Sequence, residues 1–291
     1  MDVVMPGCNG YEATRAIMSR CPTPVLMITA AVNPRDERVI FEALGAGALG
    51  ITQAPPPPTH PDHRVAAAGL VQLLRTMAGA KLQGAASTPV ERTPEPTGEP
   101  DGPVRAIGIV ASAGGPPALV TILSELQGKR MPPMLVVQHM VSGFAGGFAS
   151  WLAAETGYAV ALASPGEPLR AGRAYVAPDG RQLGVARSRN AVVNDDPPVN
   201  RFRPSGDYLL RSMAQALGSA AAAVVLTGMG RDGAAGALEL RRAGGFVIAQ
   251  DAATSVIDGM PRAVREAGAA SRVVSLRQIP EVLQALAKGE R

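Results

Sequence analysis

Hydrophobic positions along the 291-residue chain fall into short continuous apolar runs that alternate with amphipathic runs. The apolar runs at 106–111, 134–137 and 221–226 predict buried strands, and the stretches between them repeat at helical spacing. Such alternation is typical of a parallel sheet buried on both faces. Residues 104–291 are therefore predicted to form a doubly wound, mainly parallel α/β domain of Rossmann-like class.

A shorter version of this pattern fills the first 55 residues. Apolar runs at 23–31 and 45–52 predict two strands, and the stretches at 11–18 and 34–44 predict two helices. The opening residues resemble the end of a further strand. This order corresponds to the second half of a doubly wound domain and is too short to close a five-stranded sheet of its own.

Residues 56–103 are predicted to link the two parts. The segment opens with a stiff proline-rich spacer, continues with a helical stretch at 65–82, and ends with a polar stretch at 83–103 that is predicted to be disordered. His60 and His63 lie in the spacer, but no other metal-ligand types cluster near them, so metal binding is not expected there.

Three short apolar runs in the second domain, at 159–162, 174–176 and 184–186, are predicted to be strands, two of them as an antiparallel pair. Ser205 precedes a helical pattern at 205–217 and is expected to cap it.

Composition narrows the function classes. Aromatic residues make up 3% of the chain, the net charge is +4, and no lysine or arginine run occurs, so a nucleic-acid partner is not expected. The two cysteines supply neither a disulfide framework nor a metal-ligand pattern. No apolar run reaches membrane-spanning length and no signal peptide is recognisable, so we expect a cytoplasmic protein without membrane insertion.

Ser112 follows the first strand of the second domain and precedes two glycines, two prolines and a helix. Three interpretations fit this turn. The hydroxyl could cap the helix, the turn could bind a phosphate group, or the serine could be an exposed nucleophile. The phosphate interpretation is weak because the G-x-G-x-x-G spacing is absent.

Polar residues that follow other strands favour the nucleophile. His139 and Asp232 also come after the carboxyl ends of apolar runs, and in open α/β sheets those ends meet in one cleft. His139 is the only histidine beyond the linker, so a serine mechanism has one candidate base. Asp251 also follows a strand and competes with Asp232 for the orienting role. The other competing acids are Asp207, read as a surface or helix-terminus charge, and Asp258.

Several motifs resemble those of chemotaxis protein-glutamate methylesterases, in the same order along the chain. They are SAGGP at 112–116, VQHM at 137–140, PSGD at 204–207, LTGMGRDGA at 226–234, QD at 250–251 and GMP at 259–261.

The resemblance implies Ser112 as nucleophile, His139 as general base and Asp232 as the carboxylate that orients it. It also implies that backbone groups around Met229, together with Gly230 and Ala113, line the site and hold the oxyanion. The substrates would be glutamate γ-methyl esters on methyl-accepting chemotaxis receptors, with deamidation of receptor glutamine as a second activity. No metal or organic cofactor is implied.

The N-terminal part resembles the second half of a response-regulator receiver domain. Asp2, followed by Met5 and Pro6, matches the phosphate acceptor of that family, and Thr29 matches the hydroxyl that senses the phosphoryl group. The acidic pair that holds Mg²⁺ is not in the sequence, and Gln53 replaces the basic residue. We therefore expect Asp2 to be unusable as an acceptor from a histidine kinase, the N-terminal part to fold poorly, and the catalytic domain to be poorly inhibited.

Five positions depart from the methylesterase pattern. Val110 and Ala113 stand where the family usually has Gly and Thr, Phe202 replaces His, Arg231 replaces Asn, and Asp258 replaces an aromatic residue. Two alternatives to an active esterase follow: an adaptor whose chemistry has eroded, and, more weakly, a nucleotide-binding domain that uses the Ser112 and Gly230 turns.

Overall fold

The structure, a computed structural model, describes residues 1–3, 5, 7–29, 34–79 and 102–289, with the backbone alone for 34–39. The polar stretch predicted at 83–103 therefore lies almost wholly outside the described residues. In chain order the elements are α1 (Gly10–Arg20), β1 (Leu26–Thr29), α2 (Pro34–Gly45), β2 (Gly50–Gln53), α3 (His63–Ala78), β3 (Ala106–Ala111), α4 (Gly115–Leu126), β4 (Met134–Gln138), α5 (Ala145–Thr156), β5 (Ala159–Leu162), β6 (Arg173–Val176), β7 (Gln182–Val185), β8 (Ala191–Asn194), α6 (Gly206–Leu217), β9 (Ala221–Val225), α7 (Ala234–Arg242), β10 (Phe246–Gln250), α8 (Met260–Glu266), β11 (Arg272–Val274) and α9 (Ile279–Lys288).

Seven parallel strands form the main sheet, in the order β11-β10-β9-β3-β4-β6-β5. Strands β3, β4, β9 and β10 are buried at every position, because helices cover both faces of the sheet. This confirms the predicted doubly wound, mainly parallel fold.

The edges of this domain differ in detail from the prediction. Strand β5 pairs with β6 in parallel, whereas the antiparallel pair is formed by β7 and β8. No strand is predicted from the sequence at the position of β8. Strand β11, only three residues long, was also not predicted. Runs this short carry too few positions for a periodic pattern, and their pairing depends on distant partners.

Two hydrophobic layers sandwich the sheet. One layer contains Leu119 of α4, Phe148 of α5 and Leu283 of α9, each fully buried. The opposite layer contains Leu209 of α6 and Ala237 of α7, together with residues of α8 and β7. At about 25 cal/mol per Å² of apolar surface removed from water, burial in these layers is the main source of stability.

The chain order reverses at β3, which has β4 on one side and β9 on the other. In open α/β sheets, the carboxyl ends of the strands at such a switch point border the binding crevice. The loops that follow β3, β4 and β9 therefore meet at the same end of the sheet.

The N-terminal segment, residues 1–79, contains the parallel pair β1–β2, with Asp2 bridged to Ile28 in the same direction. Phe41 of α2 stacks on Trp151 of α5, with ring centroids 6.0 Å apart. The Leu49 carbonyl accepts a hydrogen bond from the N–H of Gly114, beside the loop that follows β3. The segment thus packs against the α/β domain, and its poor folding as an isolated fragment stays a prediction.

Met77 of α3 packs with Leu49 and with Val256 and Ile257 of the loop after β10, so this helix closes the same junction. The predicted helix at 65–82 begins two residues earlier, at His63, and is described to Ala78. No helix in the described ranges is both long and apolar enough to cross a membrane.

Candidate active site

Ser112 lies between the end of β3 and the start of α4. Its N–H donates to the Thr227 carbonyl at 3.1 Å, and its own carbonyl accepts from the N–H of Gly115 at 2.8 Å. Helix α4 takes Gly114 as its N-cap, in the left-handed region at φ 78°, with no side-chain capping hydrogen bond. The interpretation of Ser112 as a helix cap is therefore wrong, and its hydroxyl is left for another role.

The N-terminus of α4 offers little to a phosphate group. The N–H of Gly115 is bonded to Ser112, that of Ala118 is bonded to the Gly114 carbonyl, and the two prolines between them have none. A phosphate cradle needs several backbone N–H groups that point at the ligand. The start of α4 therefore does not supply the phosphate cradle that the nucleotide-binding interpretation requires there.

His139 and Asp232 are joined by a hydrogen bond of 2.8 Å between Nε2 and Oδ2. The carboxylate of Asp232 is almost completely buried and accepts three further hydrogen bonds at the start of α6. The donors are the Ser205 hydroxyl at 2.8 Å and the N–H groups of Gly206 at 2.6 Å and Asp207 at 3.1 Å. A helix N-terminus favours negative charge, so α6 holds this carboxylate in place.

Opposing effects act on the pKa of Asp232. Burial alone would raise it, but the hydrogen bond and charge of His139 and the N–H groups of Gly206 and Asp207 outweigh burial and lower it. Asp232 is therefore ionised at neutral pH and can stabilise an imidazolium at His139.

The imidazole of His139 presents its two nitrogens differently. Because Nε2 donates to Asp232, Nδ1 keeps the lone pair that could accept a proton. Gln138 links the loops that follow β3 and β4, since its side-chain amide donates to the carbonyls of both Ser112 and His139 at 2.9 Å. Within the described residues, the Ser112 hydroxyl makes no hydrogen bond with His139. Such bonds often tighten only with substrate bound.

Backbone N–H groups in the two loops that meet at Ser112 have no acceptor. Among the described residues, the N–H groups of Ala113, Met229 and Gly230 donate to no protein acceptor. The backbone around Met229 is close to the serine, because a Cβ added at Gly228 would come within 2.8 Å of the Ser112 Cβ. Free N–H groups beside a nucleophile are the donors that stabilise an oxyanion.

A sequence profile of the CheB methylesterase family matches residues 107–283. The chain belongs to the CheB methylesterase family.

Relatives in this family match almost the whole chain. A protein-glutamate methylesterase/protein-glutamine glutaminase of Myxococcus xanthus is 42% identical over 302 residues, covering 99% of this chain and 83% of the relative. A protein of the same name from Anaeromyxobacter dehalogenans is 43% identical over 277 residues, covering 94% of this chain and 81% of the relative.

The crystal structure of the Thermotoga maritima CheB methylesterase catalytic domain is similar with a TM-score of 0.60 and 36% identity. The match covers 63% of this chain and 98% of that domain. These findings confirm the predicted family and its class of ester hydrolase.

The acids that competed with Asp232 have other partners. Asp251 binds the N–H and hydroxyl of Thr254, which orders the turn after β10. Asp258 pairs with Arg265 at 2.6 Å, and its Oδ1 has no partner among the described residues. Neither makes a hydrogen bond with His139.

Asp207 lies in the first turn of α6, so it is a helix-terminus charge as expected, but it does not lie on the surface. Its side chain is 1% exposed, because α7 packs against α6 through Gly236, whose N–H donates to Oδ1 at 2.8 Å. A Cβ at Gly236 would come within 2.6 Å of the Asp207 carbonyl. Burial raises the pKa of Asp207, the Gly236 N–H opposes the rise, and the Asp232 charge adds to it.

Three positions that depart from the usual CheB methylesterase pattern have local partners. Val110 is fully buried, and Gly206 provides the space for its two methyl groups. Arg231 lies on the surface and pairs with Glu266 at 2.8 Å, while Asp258 pairs with Arg265 as described above.

The last two departures contact or adjoin Ser112 and His139. Ala113 is half-buried and contacts the cluster formed by Met77, Leu49 and Val256. Phe202 stacks face to face on the His139 ring. Sequence reasoning missed this stacking and the contacts of Ser205 and Gln138. For Gln138 the available signal was its position directly before His139 in the VQHM motif, and no pattern in the sequence pointed to the other two contacts.

Asp2 lies in the N-terminal segment, exposed and bridged by its backbone to Ile28. Thr29 is buried at the end of β1, and Gln53 is exposed at the end of β2. Phosphorylation of Asp2 stays a prediction. The described residues contain no group of three or more histidine, cysteine or acidic side chains that could hold a metal ion.

Proposed function

We propose that this chain hydrolyses glutamate γ-methyl esters on methyl-accepting chemotaxis receptors, with Ser112 as nucleophile, His139 as general base and Asp232 as the orienting acid. The observation that carries the proposal is the buried His139–Asp232 hydrogen bond at the carboxyl ends of β4 and β9, next to a serine with unoccupied backbone donors around it. The same groups would release ammonia from receptor glutamine.

The acylation step follows from these positions. The Ser112 oxygen attacks the ester carbonyl, and Nδ1 of His139 takes the hydroxyl proton while Asp232 holds the Nε2–H. The N–H groups of Ala113 and Met229 bind the negative oxygen of the tetrahedral intermediate. When that intermediate collapses, the proton passes to the departing methoxide and methanol leaves.

Deacylation repeats the sequence with water. His139 takes a proton from the water, the hydroxide attacks the acyl-enzyme carbonyl, and Ser112 leaves with the returned proton. The products are a receptor glutamate and the free enzyme. All groups required for these steps belong to the chain, and the proposed cycle uses no metal or organic cofactor.

The proposed partners are the receptors in the cytoplasm and, if Asp2 accepts a phosphoryl group, a histidine kinase. One observation favours the alternative, an adaptor that binds receptors without hydrolysing them. This observation is that Ser112 and His139 are not joined by a hydrogen bond. The catalytic proposal requires this gap to close when substrate binds.

Methanol release from methylated receptor membranes by the full chain tests the proposal. We expect release that is lost in Ser112→Ala and retained in Ser124→Ala, which removes an exposed hydroxyl from α4. Covalent labelling by a fluorophosphonate should follow the same pattern. A folded wild-type chain that neither releases methanol nor becomes labelled would support the adaptor.

A further inference from the structure

Phe202 covers one face of the imidazole of His139. The two ring centroids are 4.3 Å apart and the ring planes differ by 4°. Nothing in the reaction described above uses this side chain. The contact nevertheless lies on the group that must move the proton, and it covers a face of the ring, whereas Asp232 bonds to a nitrogen at the ring edge.

A tight turn holds Phe202 in this place. Val199 and Phe202 exchange backbone hydrogen bonds of 3.0 and 2.9 Å in both directions. The two residues between them, Asn200 and Arg201, have positive φ angles of 51° and 71°. Positive φ at both central residues is the geometry of a type I′ turn, which Asn favours.

The turn is tied to the same helix that holds Asp232. The Asn200 side-chain amide donates to Oδ2 of Asp207 at 3.2 Å, and the Asp207 N–H donates to Asp232. Gln182 adds a second tie, donating to the Pro197 carbonyl at 3.0 Å and accepting from the Ser205 N–H at 3.0 Å. The position of Phe202 is therefore coupled to the position of the triad acid.

The two contacts on His139 constrain different motions. The hydrogen bond to Asp232 fixes the position of Nε2 but leaves the ring free to tilt about that atom. A flat contact at 4.3 Å restricts the tilt and so fixes the direction in which Nδ1 points. Proton transfer depends steeply on such alignment.

We propose that Phe202 is a positioning residue, which holds the plane of the general base so that Nδ1 faces Ser112. This inference rests on the proposed function. It assigns a role to a residue that departs from the usual pattern, and it identifies the buried carboxyl of Asp207 as the anchor of the turn that carries Phe202.

Steady-state kinetics of the full chain on methylated receptors provide the first test. Phe202→Leu keeps an apolar side chain but removes the flat face, so we expect kcat to fall about 10- to 100-fold while KM stays within about twofold. Phe202→Tyr keeps the face and should restore most of kcat. Asn200→Gly keeps the turn, loses the tie to Asp207, and should lower kcat by a smaller factor.

Arg201→Ala is the matched control, because Arg201 is an exposed side chain in the same turn. It should match the wild-type kcat. Equal kcat in Phe202→Leu and wild type would overturn the proposal, and so would a rise in KM at unchanged kcat, which would make Phe202 a substrate contact.

Proton NMR of the full chain tests the geometry without any reaction. The chain contains three histidines, so the ring C–H signals of His139 can be assigned by their loss in His139→Gln. Ring current from a stacked Phe202 shifts these signals upfield. The shift should disappear in Phe202→Leu and remain in Phe202→Tyr, and its absence in wild type would refute the stacking.

The two proposals can fail separately. A wild-type chain with the shifted His139 signals but no esterase activity would leave the stacking intact and refute the proposed function. An active chain whose His139 signals and kcat are unchanged in Phe202→Leu would refute the positioning role alone.

Discussion

The fully buried Val110 fits at the end of β3 because residue 206 is a glycine. A Cβ at position 206 would overlap the Val110 Cγ1 and lie 3.0 Å from its Cγ2. Gly206 does not have a positive φ angle, so alanine is allowed there by the backbone. The Gly206→Ala substitution therefore tests packing against Val110 with little contribution from backbone strain.

The expected energies follow from this overlap. Overpacking in Gly206→Ala should cost about 1–3 kcal/mol. Val110→Ala removes two buried methyl groups and should cost about 2–3 kcal/mol through lost burial and the cavity left behind. In the double variant the added methyl group enters the space that the valine vacates. We therefore expect the double variant to be more stable than the sum of the single variants predicts, by about 1–3 kcal/mol.

Urea unfolding followed by the fluorescence of the single tryptophan, Trp151, measures these energies. The control is Gly146→Ala in the first turn of α5, where a Cβ would meet only the Leu162 side chain at an ordinary 3.8 Å. That change should be neutral or stabilising, since alanine favours helix.

The same variants should alter the reactivity of Ser112. The N–H of Gly206 donates to Asp232, so a displaced helix start disturbs the carboxylate that orients His139. Fluorophosphonate labelling should slow in Gly206→Ala and recover in the double variant with Val110→Ala. Additive stabilities, or a Gly206→Ala chain as stable as Gly146→Ala, would refute the reasoning.

Three further predictions concern individual contacts. Asp232→Asn should lower kcat for methanol release by about 10⁴ without unfolding the chain, because an amide favours the wrong His139 tautomer. The raised pKa of Asp207 means that ionising this carboxyl destabilises the folded state. The stability that the protonated carboxyl contributes is therefore fully present below the unfolded pKa and is lost as pH rises through the folded pKa. Urea titrations should therefore show Asp207→Asn gaining stability relative to wild type as pH rises through that range. Phe41→Ala should raise the labelling rate of Ser112, because it loosens the stacking between α2 and the α/β domain; an unchanged rate would exclude occlusion by the N-terminal segment.

The central strands could be predicted because burial on both faces leaves continuous apolar runs in β3, β4 and β9. Strands at the edges could not, since β8 and β11 are short and are defined by their partners. The β7–β8 pair lies outside the main sheet, and only its long-range packing on α6 explains its place.

The residues of the site that follow strands could be predicted from the sequence. Ser112, His139 and Asp232 each follow a strand, and parallel topology brings strand ends together. The burial of Asp207 could not be read from the sequence, because it depends on a close approach of two helices at Gly236, which lies 29 residues away. The stacking of Phe202 was equally hidden, because it depends on a turn anchored to that same carboxyl.

The positions that depart from the family pattern decide between an active esterase and an eroded adaptor. Loss of function under relaxed selection would be expected to leave cavities or clashes where residues changed. Val110 instead fills the space beside a glycine, and Phe202 stacks on the ring of His139, the proposed general base. Arg231 pairs with Glu266, and Asp258 pairs with Arg265 through Oδ2, while Oδ1 of Asp258 has no partner among the described residues. The packing of Val110 and Phe202 against their neighbours therefore favours a site that has been repacked around the proposed triad.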